Sequence, residues 1–461
     1  MIETLIIFVL VFAFYANTFH YGLIVDDLFW RKEVKTLAKR INPFDLLQTR
    51  LYGGCTFGKS VLVDHVFQTF LHAVICVLMY FAFGANNISF FAAILYAFNP
   101  ANNQTAMWIN SRRYAVNIIL VLAMLLIGPL GLFLYPLTGL FQVNAIFSFI
   151  LFGPVGLLAL PLALILFPYW KKLHEVFRNR YSIVPEGAKK QYGLSRITVA
   201  VKTYGYYFFK MIFPGRCLFY DKFLYFWGIT KEGDRDAYSV NLDFLKGVLA
   251  LAISAVGLFY FKDKMFWMFL FMCVSILQWS NIVTATMTVA DRYMSLPNVF
   301  MMFFVSYLLN TFLGGYAIYL IIALAIHYSS TTSIAKSMYK DIFSFWRYHI
   351  YFDPAGVSAR SFYVSELILN KDFISALSMA QDGLKYRPND FKFLFQAAVC
   401  LRQFGNSENA IKYLDKAEKN LYLGQEERLM GLVSKIREAI NKELMPSRQV
   451  RRQKERELAK A

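Results

Sequence analysis

Long apolar stretches recur through the first 330 residues and constrain the fold more than any other feature of the sequence. A helix that crosses a membrane needs about 20 mostly apolar residues, because every backbone polar group must be satisfied inside the lipid. We predict about eleven spans, of which the fifth and sixth are short enough to form one re-entrant pair. They are residues 4–21, 61–83, 88–103, 113–134, 138–152, 154–169, 197–213, 243–261, 265–282, 297–312 and 314–328. The first lacks a basic start and an Ala-x-Ala cleavage site, which favours a retained anchor over a signal peptide.

The charged residues divide the chain into two parts. Residues 1–330 contain 41 Asp, Glu, Lys and Arg residues, about 12%, whereas residues 331–461 contain 37, about 28%. The second fraction is that of an ordinary soluble domain, at about 25%, and the first is far below it. We therefore predict an all-α protein with a transmembrane domain over 1–330. A connector over 331–357, a helical domain over 358–445 and a basic tail over 446–461 follow.

The placement of Lys and Arg predicts the orientation in the membrane. The loop 170–196 contains seven Lys and Arg against two Glu, and basic loops stay in the cytoplasm. This puts the N-terminus in the cytoplasm and the C-terminal domain outside. Loops 22–60, 99–112, 214–242 and 283–296 share the outer face. Topology thus explains much of the net charge of +18, and we expect a lipid bilayer rather than nucleic acid as the partner.

A 34-residue period runs through the C-terminal domain. Small or matching residues recur at that spacing, in the pairs Ala376 and Ala410, Leu377 and Ile411, and Gly383 and Ala417. This period is typical of tetratricopeptide repeats, which stack helical hairpins. We predict about two repeats and a closing helix at 424–442. Such a domain could dock a peptide or protein partner, or serve as a small lid. The basic tail could meet anionic lipid or remain solvated.

An acidic pair follows the first span, in "NTFHYGLIVDDLFW". On the outer face, Asp26 or Asp27 could act as a general base on an acceptor hydroxyl. Either could also hold a divalent cation, Mg²⁺ or Mn²⁺, against a phosphate. The alternative is an interfacial charge pair without a chemical role.

The stretch "GGCTFGKS" at 53–60 matches the phosphate-loop pattern. That motif functions between a parallel strand and a helix, whereas here it precedes a predicted membrane span. We do not expect nucleotide binding there, although Lys59 could face a lipid phosphate.

Four segments resemble motifs of one glycosyltransferase family, in the same order. They are "DHVFQTFLHAVICVLMY", "FNPANNQTAMWINSRRYAVNIILVLAML", "YYFFKMIFPGRCLFYD" and "ADRYMSLPNVF". With the repeats that follow, the chain resembles the GT-C superfamily, nearest to the transmembrane-and-tetratricopeptide O-mannosyltransferases and their bacterial relatives. The resemblance implies an inverting transferase in a membrane such as the bacterial inner membrane. It would move a sugar from a polyprenyl phosphate to a Ser/Thr hydroxyl or a glycan outside the cytoplasm, and no metal site is implied.

The resemblance also implies roles for individual residues. Asp26 or Asp27 would be the catalytic base. Arg292, with Arg112 or Arg113, would bind the lipid phosphate, since a guanidinium matches phosphate oxygens with two parallel hydrogen bonds. His65 would line the same cavity. The alternatives are a salt bridge from Arg292 to Asp291 or Asp26, and an interfacial position for Arg112 and Arg113.

The chain departs from the family pattern at three positions of its second outer loop. Where the family has two His and one Glu, this sequence has Asn99, Asn102 and Gln104, and a family Ser-Lys-Glu before "LPL" is absent. An alternative is therefore a non-catalytic member of the fold. It would be a scaffold subunit of an envelope machine, such as a pilus, flagellum or secretion complex, that binds partners through the repeats.

Overall fold

The computed structural model describes most of the chain. The described residues are 2–24, 27, 60–128, 130–131, 150–156, 195–215, 240–280, 290–352, 354, 357–421 and 426–458. They form two compact units, one ending at Phe345 and the other beginning at Trp346.

The regular secondary structure of the described residues is helical. Ten of the described helices lie wholly within the first unit: α1 (Ile2–Tyr15), α2 (Val61–Ala82), α3 (Asn87–Phe98), α4 (Asn103–Met107), α5 (Arg112–Ile127), α6 (Ser195–Ile212), α7 (Leu242–Tyr260), α8 (Asp263–Gln278), α9 (Ser295–Leu313) and α10 (Ala317–Lys336). Helix α11 (Ile342–Phe352) leads into α12 (Val357–Leu369), α13 (Phe373–Tyr386), α14 (Phe391–Gln403), α15 (Ser407–Glu418) and α16 (Glu426–Leu458). Within these ranges there are sixteen α-helices and no strand, so the prediction of an all-α protein is confirmed for the described residues.

Three helical stretches in the described ranges are long and apolar enough to cross a membrane. They are Val61–Ala82, Leu242–Tyr260 and the 45-residue stretch Ser295–Tyr339, which contains α9 and α10. A fourth candidate is the pair Pro100–Met107 and Arg112–Ile127, bent by 108°. The described part of the chain therefore has helices of the length and apolar composition that a membrane span needs, while the total of eleven spans stays a prediction.

Most of the predicted spans coincide with helices. The span predicted at 88–103 is a shorter helix, α3, which stops at Phe98 because Pro100 follows. The predicted spans 138–152 and 154–169 lie almost wholly outside the described residues. The predicted spans 297–312 and 314–328 are separated only by a 3-10 turn at Gly314–Tyr316.

Helices α6 and α7 cross at two glycines. A Cβ on Gly205 would lie 2.5 Å from the Cα of Gly247, and a Cβ on Gly247 would lie 2.2 Å from the carbonyl oxygen of Val201. Close approach of backbones at small residues is a common way to pack helices in lipid, where no hydrophobic effect drives association. The two glycines therefore set the distance between these helices.

Helices α2, α3, α5 and α9 pack around a shared core. Tyr15 at the end of α1 donates to the carbonyl of Ala97 at 3.1 Å, and the Nε2–H of His72 in α2 donates to the same carbonyl at 3.2 Å. Ser306 in α9 donates to the carbonyl of Ile88 at 2.8 Å. These bonds attach three helices to α3, whose last residue precedes the polar segment described below.

In the second unit, α12 to α15 pack as consecutive helical pairs. Ala376, Ala380, Ala410 and Ala417 are fully buried, as the crossing of helices at small side chains requires. A Cβ on Gly383 would lie 2.7 Å from the ring of Phe393. The small residues of the 34-residue period thus lie at helix contacts in both pairs.

Candidate functional site

The segment 99–113 joins α3 to α5 and is almost completely buried. Pro100 begins a 3-10 turn, and the Asn99 side chain accepts from the Ala101 amide at 2.9 Å. Helix α4 follows, and a second 3-10 turn at Ile109–Ser111 leads into α5. These short turns expose backbone groups that long helices satisfy internally, so side chains must bond them.

Amide side chains connect this segment to distant helices. The Nδ2 of Asn99 donates to the carbonyl of Met211 at 2.7 Å. Asn102 donates to the carbonyl of Tyr96 at 2.7 Å and accepts from Asn298 at 3.1 Å. The two asparagines that replace the family histidines are therefore neutral links between helices.

Gln104 is hydrogen-bonded to Arg292. Its Oε1 accepts from the backbone N–H of Arg292 at 3.3 Å and from a guanidinium nitrogen at 3.2 Å. Thr105, next in the chain, shares a hydrogen bond with Ser295. The amide that replaces the family glutamate thus binds the residue that the resemblance assigns to the phosphate.

Aromatic rings surround the guanidinium of Arg292. Its Cζ lies 5.0 Å from the ring centroid of Tyr293, 5.4 Å from that of Trp108 and 6.0 Å from that of Tyr114. Its Nε donates to the Tyr114 hydroxyl at 3.3 Å. Trp279 stacks on Tyr293, with ring centroids 3.9 Å apart. Ring faces attract cations, so this cage orients the guanidinium.

Arg112 forms an ion pair with Asp64. The distance between Nη2 and Oδ1 is 3.1 Å, and both side chains have 0% exposure. The Phe67 ring lies 5.1 Å from the Arg112 Cζ. Arg112 is therefore buried inside the protein, whereas one alternative from the sequence placed it at the membrane interface. It can be buried because Asp64, in the first turn of α2, supplies its counter-charge.

A second buried ion pair joins α6 to the turn before α9. Lys210 donates to Asp291 at 2.6 Å and to the hydroxyl of Tyr206 at 2.5 Å. The sequence offered Asp291 as one salt-bridge partner of Arg292. In the structure, the Oδ1 of Asp291 accepts from Lys210.

Asp27 is buried, with 4% exposure. Its backbone N–H donates to the carbonyl of Ile24 at 3.0 Å, and its Oδ2 accepts from the Ile24 amide at 3.3 Å. Just before it, Gly22 donates to the carbonyl of Lys340 at 2.8 Å and accepts from His65 Nε2 at 3.4 Å. His65 is therefore attached to the loop that leads to the acidic pair.

The remaining predicted site residues are placed as follows. Arg113 is half-buried, with its Cζ 5.2 Å from the ring centroid of Tyr114. Asp26 and Lys59 lie outside the described residues. Within the described part of the chain, no group of three or more His, Cys, Asp or Glu side chains is placed to hold a metal ion.

Two partners in this cluster were not predicted from the sequence. Asp64 and Lys210 are the counter-charges of Arg112 and Asp291, yet neither was a candidate. The available signal was that each is a charged residue inside an apolar stretch, which is costly in lipid and rarely occurs without a partner.

The described residues thus define an all-helical protein with membrane-length helices and a buried polar cluster at helix ends. No family model matches the chain, and no curated protein or solved structure matches it significantly.

Proposed function

We propose that the protein is a membrane glycosyltransferase that moves a sugar from a polyprenyl phosphate to a hydroxyl of a protein or glycan. One observation carries this proposal. Three segments that resemble family motifs, around His65, Gln104 and Arg292, are joined by an ion pair and a hydrogen bond, although His65 and Arg292 are 227 positions apart. Residues remote in sequence that meet in one buried polar cluster are typical of a functional site.

The chemistry would be a single displacement with inversion. The carboxylate of Asp27, or of Asp26, takes the proton of the acceptor hydroxyl. The hydroxyl oxygen then bonds to the anomeric carbon while the bond from that carbon to the phosphate oxygen breaks. The phosphate leaves with the electron pair, and Arg292 with a neighbouring arginine stabilises its charge. The burial of Asp27 and the attachment of its loop to His65 support this assignment.

The orientation inferred from the basic loop at 170–196 supports an outer location for the reaction. The spans would number about eleven, with the N-terminus in the cytoplasm of a bacterial cell and the helical domain in the periplasm. Nucleotide sugars are absent from that compartment, so a lipid carrier is the physically reasonable donor.

The second unit would act as a tetratricopeptide-type docking domain. The packing of Gly383 against Phe393, and the complete burial of Ala410 and Ala417, agree with stacked hairpins. Such a domain would present the acceptor protein or an assembly partner. Deletion of this domain should then reduce transfer to a protein acceptor much more than transfer to a small hydroxyl acceptor.

A catalytically inactive scaffold of an envelope machine is the second candidate. The observation that favours it is the amide at Gln104, which bonds Arg292 where the family pattern has an acid. A cluster in which Gln104 bonds Arg292 and Asp64 is paired with Arg112 could serve stability alone.

Transfer by the purified protein tests both candidates. The assay would use a panel of polyprenyl-phosphate sugars with wild type, Asp27→Asn and Asp26→Asn. We expect turnover by wild type and a loss of about 10²- to 10⁴-fold in the variant that lacks the general base. Asp243→Asn is the matched control, because Asp243 is an exposed acid of the same unit, paired to Lys246 at 3.2 Å. No turnover with any donor, together with normal cell function of both acid variants, would reject the enzyme and favour the scaffold.

A further inference from the structure

The last turn of α10 contains a buried lysine, Lys336, with 3% exposure. Its ammonium donates to the backbone carbonyl of Phe14 and to the Oδ1 of Asn17, the latter at 3.4 Å. The ring centroid of Phe14 lies 3.4 Å from its Nζ, and that of Tyr15 lies 5.0 Å from it. Ring faces attract cations. Two oxygens and two aromatic rings at the end of α1 therefore surround this charge.

Lys336 has no carboxylate partner among the described residues. Two other buried cations of the same unit, Arg112 and Lys210, are each paired with an aspartate. Burying an ammonium without an acidic partner is costly in an apolar environment. The end of α1 offsets this cost, because the carbonyl end of a helix carries partial negative charge and binds cations. The charge of Lys336 is thus committed to the end of α1.

The segment that follows α10 holds the loop after α1 at a second point. The carbonyl of Lys340 accepts from the backbone N–H of Gly22 at 2.8 Å. Between the two attachments the chain forms a 3-10 turn at Ala16–Thr18, after which Tyr21 donates to the carbonyl of Thr18 at 3.0 Å. The end of α10 and the residues after it therefore hold this loop from α1 to Gly22.

The held loop leads directly to the candidate base. Ile24 follows Gly22 by two positions and is 2% exposed. Its amide donates to the Asp27 carboxylate at 3.3 Å, and the Asp27 amide donates to the Ile24 carbonyl at 3.0 Å. Because each of these short turns depends on the position of the one before it, a displacement of the end of α1 would displace the Asp27 carboxylate.

We propose that Lys336 is a positioning residue, whose ammonium anchors the end of α1 and thereby holds the Asp27 carboxylate in place. It acts through the loop and does not contact the carboxylate itself. A displacement of a reacting group by about 1 Å can reduce a rate about 100-fold. That Asp27 is the general base rests on the proposed function, whereas the anchoring of the loop by Lys336 does not.

Amide hydrogen exchange of the detergent-purified full chain tests the anchor without requiring turnover. In Lys336→Met, an unbranched side chain without charge replaces the ammonium. We expect the amides of residues 19–24 to exchange about 10- to 100-fold faster than in wild type, the contribution of a hydrogen bond from a charged group. The thermal unfolding midpoint should stay within about 4 °C of wild type, because the variant also removes the cost of burying the charge.

Lys340→Met is the matched control. The side chain of Lys340 is exposed, and the loop is bound by its carbonyl, which the substitution leaves in place. Exchange at residues 19–24 should therefore match wild type. Equal acceleration in Lys340→Met and Lys336→Met would overturn the proposal, because the effect would then not belong to the buried ammonium.

Wild-type exchange at residues 19–24 in Lys336→Met would also overturn the proposal. So would a large fall in the midpoint with faster exchange throughout α1, α2 and α3, because Lys336 would then act only on overall stability. If Lys336→Met does not fold, Asn17→Ala carries the test, since Asn17 is exposed and supplies one acceptor of the ammonium. The same amides should then exchange about 2- to 10-fold faster, the contribution of one hydrogen bond, and unchanged exchange would overturn the proposal.

Transfer kinetics separate this proposal from the proposed function. If wild type turns over, Lys336→Met should lower kcat about 10- to 100-fold and leave the donor KM within about twofold, because the base is displaced while donor binding is not. Wild-type kcat together with faster exchange would overturn the positioning role. Faster exchange in the variant, without turnover by wild type, would reject the proposed enzyme and support the anchoring of the loop by Lys336.

Discussion

Arg112 donates to the carboxylate of Asp64 at 3.1 Å, and neither side chain reaches the surface. The pair joins the first residue of α5 to the first turn of α2. It holds the start of α5, and with it Arg113 and Tyr114, against the helix that bears His65. Arg112, which the sequence offered as a possible phosphate ligand, is thus a structural support for its neighbours.

The Arg112–Asp64 pair predicts a strong coupling between two substitutions. Asp64→Asn or Arg112→Gln alone leaves a buried charge without its counter-charge, and each should destabilise the protein by about 3–5 kcal/mol. The double variant removes both charges and should lose less than the sum of the two. Unfolding in a denaturing detergent titration would measure this; additive losses would show that the two residues are not coupled.

The glycine crossing of α6 and α7 predicts a severe effect of added volume. Gly247→Val would drive side-chain atoms into the carbonyl of Val201 and should cost about 1–3 kcal/mol or more, because a backbone atom cannot move aside. Gly315→Ala is the control, since a Cβ there meets nothing within 4 Å. The thermal unfolding midpoint in detergent would measure the stability of both variants. An unchanged midpoint for Gly247→Val would contradict the close crossing of α6 and α7.

Substitutions at two glycines of the second unit should have opposite effects on stability. Gly383→Val should destabilise the unit because its Cβ would lie 2.7 Å from the buried Phe393 ring. Gly431→Ala, in α16 with open space around it, should be neutral or stabilising by up to about 1 kcal/mol through helix propensity. Hydrogen exchange of amides in α14 would measure the difference; equal protection in the two variants would argue against this packing.

Lys392 predicts an alkaline dependence of stability. Burial lowers the pKa of its ammonium from 10.5, although Asp390 partly opposes the shift. The unfolded chain then binds more protons than the folded one as the pH approaches 10.5, so stability from this group rises with pH there. Lys392→Met should therefore be more stable than wild type at neutral pH, and the gap should narrow as the pH rises. Unfolding midpoints of both proteins at pH 7 and pH 10 would check this. A stability difference between variant and wild type that widens from pH 7 to pH 10 would contradict the predicted direction.

The parts of the fold that repeat along the chain were predictable. Apolar length alone predicted α2 and α7, because lipid demands about 20 apolar residues wherever the helix lies. The 34-residue period likewise predicted that Ala376 and Ala410 would be buried at helix contacts. These features depend on local composition and spacing, which a sequence displays directly.

The candidate site was only partly predictable. The motif order indicated which segments would matter, yet Asn99, Asn102 and Gln104 could be described only as departures from a pattern. In the structure, Asn99 bonds Met211, Asn102 bonds Asn298 and Gln104 bonds Arg292. These bonds form because segments separated by up to nearly 200 positions in the sequence approach one another in the fold. No local rule fixes such a pairing, because an amide can donate or accept with many partners.

The sequence by itself determined that this chain is helical, that much of it is apolar enough for a membrane, and that its charges are concentrated towards the C-terminal end. Only the tertiary structure decided which buried charges neutralise each other. Asp64 binds Arg112 and Lys210 binds Asp291, while Arg113 and Arg292 meet at Tyr114. The sequence shows that charged residues lie in apolar stretches, where burying them is costly. Only the fold determines which opposite charge lies close enough to offset that cost.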